Sequence, residues 1–135
     1  MERKSSDKNV EQNVNEEEKK VEEPLKQYVV IRKDLKWPLG SIVSQGCHAC
    51  TSVVFQNLEN ERIKKYFANI SSLHKVVLGC KDDKELLSLS EKLRAEGFIH
   101  QLWIEQPENI CTSIATLPYK KSEIHHIMKK YQLLK

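Results

Sequence analysis

No run of about 18 apolar residues occurs in this chain of 135 residues, so the sequence offers no helix able to cross a bilayer. The N-terminus lacks the apolar core of a secretory signal and is too acidic for a mitochondrial transit peptide. A soluble protein of the cytoplasm is expected, with no membrane partner. In that compartment Cys47, Cys50, Cys80 and Cys111 should be reduced, and mostly buried, thiols. The single C-x-x-C, from Cys47 to Cys50, lacks a second ligand pair and does not sit at the first turn of a helix, where a redox thiolate is stabilised. No metal and no cofactor are expected. No internal repeat is visible either.

The first 24 residues are poor in apolar side chains, with only Met1, Val10, Val14 and Val21. Such a segment cannot bury a core, so residues 1–24 are expected as a disordered charged tail and residues 25–135 as one domain. The tail carries eight acids and five bases, net −3, which leaves +6 for the rest of a chain whose total is +3. A basic domain attracts polyanions, although a charge of this size is ordinary among soluble proteins.

Tyr28 to Ile31 is short, aromatic and β-branched, as in a strand covered on both faces. A helix begins between Pro38, suited to a first helical position, and Ser41, suited to a cap. Helical periodicity places Val43, Cys47, Cys50 and Val54 on its sheet-facing side, widened by Ile42, Gly46, Ala49 and Val53. The same arithmetic gathers Ser41, Gln45, His48 and Ser52 into a polar stripe on the far side, which is either a solvated face or a site. Further on come a short helix over 59–68, a strand over 74–80, a helix from Asp82 or Asp83 to Glu96 stopped by Gly97, strands over 98–105 and 110–117 joined by a turn, and a helix over 122–132. His125 and His126 point about 100° apart and are read as surface residues. The pattern implies an α/β fold: a three-layer α/β/α sandwich with a mixed four-stranded sheet, three strands parallel and one antiparallel.

In such a sheet a site lies beyond the carboxyl ends of the parallel strands. That rule brings Arg32 to Ser41, Gly79 to Lys81 and Glu105 to Asn109 to one rim. A helix N-terminus with Arg32, Lys33 and Lys36 near it suits a phosphate or an oxyanion. Trp103, next to the rim, is either a core residue or a stacking platform for a base.

Several motifs share an order with a known family. Arg32-x-Asp34-Leu35, Gly40 and Gln45-x-x-His48-Ala49 resemble the opening block of the type 2 peptidyl-tRNA hydrolases. Trp37-Pro38-x-Gly40, Lys75-Val-Val-Leu78, Leu102-Trp-x-Glu-Gln-Pro-Glu-Asn-Ile110 and Pro118-Tyr119 extend the likeness over about residues 27 to 135, toward the divergent branch of peptidyl-tRNA hydrolase domain-containing proteins. The resemblance implies a carboxylic ester hydrolase acting on peptidyl-tRNA without metal. By that resemblance His48 and Gln45, with Asp34 as their near neighbour, would be the catalytic residues, and the rim position marks Arg32, Lys33, Lys36, Ser41, Glu105 and Asn109 as the expected substrate contacts. Two positions depart from the family pattern. Ser41 stands where the family has a lysine, and Gln106 to Ile110 replaces its Asp-Ala-Gly-x-Thr block. A homologue that binds tRNA or another phosphate-bearing ligand without turnover, and a protein interaction module, therefore stand as alternatives, and a homodimer is left open.

Overall fold

The computed structural model describes residues 22–135, so all but the last three residues of the expected tail lie outside the described residues. The elements in order are β1 (Leu25–Arg32), α1 (Leu39–Phe55), α2 (Glu61–Phe67), a 3-10 turn (Ile70–Ser72), β2 (Lys75–Cys80), α3 (Asp83–Ala95), β3 (His100–Glu105), β4 (Ile110–Lys120), α4 (Lys121–Met128) and β5 (Gln132–Leu133). The local signals account for their ends. Asn60 accepts from the Arg62 amide at the start of α2, and Asp82 from the Glu85 amide at the start of α3, each at 2.9 Å. Gly97, at φ 80°, lets the chain turn away after α3. The Glu123 carboxylate accepts from the Lys120 amide at the start of α4.

The sheet has the order β3-β4-β1-β2-β5. Among the described residues only β1 and β2 pair in parallel, while β4 is antiparallel to β1 and β3, and β5 is antiparallel to β2. Strands β1, β2 and β3 thus run one way and β4 and β5 the other. The expected four-stranded sheet is corrected to five strands. The last helix ends at Met128, four residues before the expected Gln132, and the chain returns to pair Gln132 with Gly79 and Leu133 with Leu78. The reason lies at Gly79. With no side chain of its own, it is covered by Leu134 and by the stem of Lys33, and the Leu134 amide donates to the Val77 carbonyl at 3.0 Å.

Val29 and Ile31 face α1, where an added Cβ on Gly46 would stand 3.1 Å from Ile31 Cδ1. Side chains alternate along a strand, so Tyr28 and Val30 face the opposite side, where Tyr28 lies with α4. Leu86, Leu89 and Leu93 of α3, Ile124 of α4, and Ile114 and Leu117 of β4 are buried in the same core cluster.

Candidate functional site at the carboxyl edge of the sheet

The inner side of α1 is the main departure from the periodicity. Its buried residues are Gln45, Gly46, Ala49 and Val53, whereas Val43 is 54% exposed and Cys47 is exposed. The helix is turned so that the widening set, not the central one, meets the sheet. Gly46 and Ala49 are small enough to let the backbone approach β1 closely. Gln45 consequently leaves the polar stripe and becomes almost wholly buried, at 1% exposure, while Ser41 and His48 stay exposed.

A buried amide needs partners, and Gln45 has them on three sides. Its Oε1 accepts from Thr112 Oγ1 at 2.7 Å. Its Nε2 donates to Glu105 Oε2 at 2.9 Å and to the Ser41 carbonyl at 3.2 Å. Its main-chain carbonyl accepts from Ser113 Oγ, also at 2.7 Å. Two successive strand residues reach one helix residue because β4 bulges there. Trp103 pairs with Ser113 and Ile104 with Cys111, so Thr112 is an extra residue and the local alternation of side chains is broken.

Glu105 is held at both oxygens, since Trp103 Nε1 donates to its Oε1 at 3.2 Å. The hydrogen bond from Gln45, then that from Trp103, holds its carboxyl below the usual range, so it is ionised at neutral pH. The Trp103 ring also stacks on His48, with centroids 4.9 Å apart and an interplanar angle of 25°. Gln45, Glu105, Trp103 and His48 thus form one connected group between the middle of α1 and the end of β3.

Arg32 and Asp34 form a second group. The guanidinium donates to both Asp34 oxygens at 2.9 Å and to the Cys111 carbonyl at the same distance. The bonds from Arg32 lower the Asp34 pKa. Among the described residues, Asp34 makes no side-chain hydrogen bond to Gln45 or His48, so it touches the first group only through Arg32 and the main chain before Thr112. Exposed Lys33 and Lys36 have no side-chain hydrogen bond or ion pair among the described residues. Asn109, at φ 57°, donates its amide to the Glu105 carbonyl at 2.8 Å, and its side chain accepts from Gln106 Nε2.

The N-terminus of α1 completes the edge. Pro38 caps it without a side-chain bond, and the first helical amide to find a main-chain partner is that of Ile42, on the Pro38 carbonyl. The amides of Leu39, Gly40 and Ser41 precede that bond. An added Cβ on Gly40 would meet nothing within 4 Å, so the helix start is uncrowded there.

Thr112 and Ser113 are site residues that the sequence reasoning missed. Their signal was a pair of adjacent hydroxyl residues inside the strand expected over 110–117. Trp103 is tied to the site by its N–H and its ring face. The C-x-x-C is not a buried pair, since Cys47 is exposed and Cys50 half-buried, and among the described residues no three His, Cys, Asp or Glu side chains converge as for a metal.

Residues 25–134 match the family described as peptidyl-tRNA hydrolase PTH2. Two mammalian proteins named "Putative peptidyl-tRNA hydrolase PTRHD1", from Homo sapiens and Mus musculus, are each 40% identical over 116 residues, covering 82% of this chain and 83% of the relative. A "Peptidyl-tRNA hydrolase" of Methanothermobacter thermautotrophicus is 30% identical over 78 residues, covering 58% of this chain and 67% of that protein.

Proposed function

The chain belongs to the peptidyl-tRNA hydrolase PTH2 family, and from that premise we propose that it is a carboxylic ester hydrolase that splits peptidyl-tRNA into peptide and tRNA in the cytoplasm. The observation that carries this reading is the chain of contacts from buried Gln45 through Glu105 and Trp103 to exposed His48, on the helix whose N-terminus lies at the same edge. Ester hydrolysis needs a base for water, donors for the tetrahedral oxyanion, and a hold on the tRNA end.

His48 is the base in this scheme: it takes a proton from water as the oxygen attacks the ester carbonyl, then returns it to the departing ribose oxygen. Glu105, ionised and held at both oxygens by Gln45 and Trp103, carries no proton transfer in this scheme. As a fixed anion it stabilises the imidazolium that forms. Gln45 and Trp103 aim Glu105, and the amides of Leu39, Gly40 and Ser41 receive the oxyanion. Lys33, Lys36 and the Ser41 hydroxyl contact the terminal phosphates. Arg32 and Asp34 brace the start of β4 and so position Thr112 against Gln45, while Asn109 fixes the loop after Glu105.

One observation favours a second reading, a tRNA binder without turnover. No cation bonds to the Gln45–Glu105 pair among the described residues, and Ser41 stands where the resemblance implies a lysine. Single-turnover release of an N-acetylated amino acid from tRNA by the full chain decides between them. Release is expected, with His48→Ala and Glu105→Gln each about 10²-fold slower and each melting within a few degrees of the parent. Salt-dependent tRNA binding with no release would leave the binder, and neither would leave an interaction module.

A further inference from the structure

On the face of the sheet opposite α1, two shallow hollows adjoin. The first, of about 270 Å3, is rimmed by Lys26, Lys121, His125 and Lys129. The second, of about 530 Å3, shares Lys129 and Tyr131 with the first and adds Lys92, His126 and Lys130. No Asp or Glu among the described residues lines either hollow. Glu96, beside the second, engages Lys92 and His126, and Glu23 near the first accepts from the Ser122 amide, but among the described residues Lys26, Lys121, His125, Lys129 and Lys130 form no ion pair.

A cluster of unpaired cations is self-repelling, and its free energy falls when an anion enters. Two hollows joined through Lys129 fit a ligand with repeated negative charges rather than a single ion. The floor argues against a membrane, which would call for apolar side chains projecting beside the lysines. Here Tyr28, Leu78, Met128 and Tyr131 are all buried beneath them. The Lys26 end of the strip is far from the proposed ester site. Lys26 lies near the start of β1 and Arg32 at its end, six residues on, about 20 Å at the usual rise per residue.

We propose that this strip binds the phosphodiester backbone of RNA, at two or more phosphates, separately from the carboxyl-edge site. The chemistry recognised is a row of phosphates, which a free polyphosphate also offers. The proposal does not rest on ester hydrolysis and survives if turnover is absent.

The test measures binding of the full chain to fluorescent tRNA from 50 to 300 mM salt. Each lysine–phosphate contact contributes about 0.7 to 0.9 to the slope of log K against log salt. Lys26→Gln/Lys121→Gln/Lys129→Gln is expected to lower that slope by about 2 and to leave the rate of N-acetyl-aminoacyl ester release at saturating substrate unchanged. Lys64→Gln/Lys65→Gln/Lys84→Gln removes the same charge from exposed positions outside the strip and is expected to change the slope by less than 1. Equal losses in both triple variants, or none in the first, overturn the proposal. Competition by inorganic tripolyphosphate at concentrations near those of the RNA would identify a free polyphosphate as the occupant. Competition only by RNA identifies the backbone. Binding of the strip to phosphatidylserine vesicles and not to RNA would also overturn it.

Discussion

Removing a hydroxyl from the strand tests whether Gln45 is a buried keystone or part of a solvated stripe. Thr112→Val keeps the shape of a side chain that is fully buried and deletes the donor 2.7 Å from Gln45 Oε1. Water cannot readily replace it, because Gln45 is only 1% exposed. Leaving one buried acceptor without a partner costs about 1–3 kcal/mol. Gln45→Met strands the Thr112 hydroxyl in the same way, at a similar cost of about 1–3 kcal/mol, and frees Glu105, which water can solvate. The double variant removes both polar groups together and is expected to be more stable than the sum of the two losses predicts. The coupling should be about 1–2 kcal/mol. Urea unfolding followed by circular dichroism reads this directly. With an m-value of about 1–2 kcal/mol/M for a domain this small, a loss of about 2 kcal/mol moves the midpoint by about 1–2 M. Single losses under about 0.5 kcal/mol with no coupling are what an exposed glutamine would give, and they would refute the burial argument.

Two further outcomes follow from the packing. The pKa of His100 is lowered by burial. Its Nδ1 donates to the Phe98 carbonyl, which leaves Nε2 to accept from Ser90 Oγ at 2.7 Å. The unfolded imidazole therefore takes up a proton that the folded one resists, so stability should fall as pH drops below about 6.5, and His100→Gln should flatten that decline in denaturation curves from pH 7.5 to 5.5. At the two glycines of α1 the signs should be opposite: Gly40→Ala, with open space around it, gains roughly 0.5 kcal/mol, whereas Gly46→Leu, against Ile31 and Val29, loses more than about 1 kcal/mol in the same urea assay.

The elements were legible in the sequence because each carried a local signal: the β-branched run at Tyr28 to Ile31, the Asp82 cap, the Gly97 stop. The α1 face was not, since hydrophobicity ranks Val43 and Cys47 above Gly46 and Gln45. What decides the face is how closely two backbones can approach and whether the strand offers hydroxyls to a buried amide. Those depend on partners more than 60 residues away in the chain. The bulge at Thr112 has the same character, because an extra residue is defined only against the strand beside it. Strand-end logic brought Glu105 to the rim, while Gln45 and His48 came from helical periodicity and the resemblance; Gln45 bonds Glu105 directly, and His48 reaches Glu105 only through Trp103. Asp34 was read as the neighbour of Gln45 and His48, but its carboxylate is held by Arg32, a pairing that two residues of spacing at a strand end did not disclose. The fifth strand escaped notice because two residues are too few to show a period.

That fifth strand also bears on how the molecule keeps to itself. A sheet edge is a row of main-chain donors and acceptors on which any extended chain can align. Here β5 occupies only the Leu78–Gly79 part of the β2 edge, with the Leu134 amide on Val77 extending the cover by one more bond. Lys75, at the start of β2, sets a charge beside the remainder, a common deterrent to strand addition. Gln132 to Leu134 thus leave only a two-residue outer strand for a foreign chain to align on at this side, while β3 forms the opposite edge of the sheet.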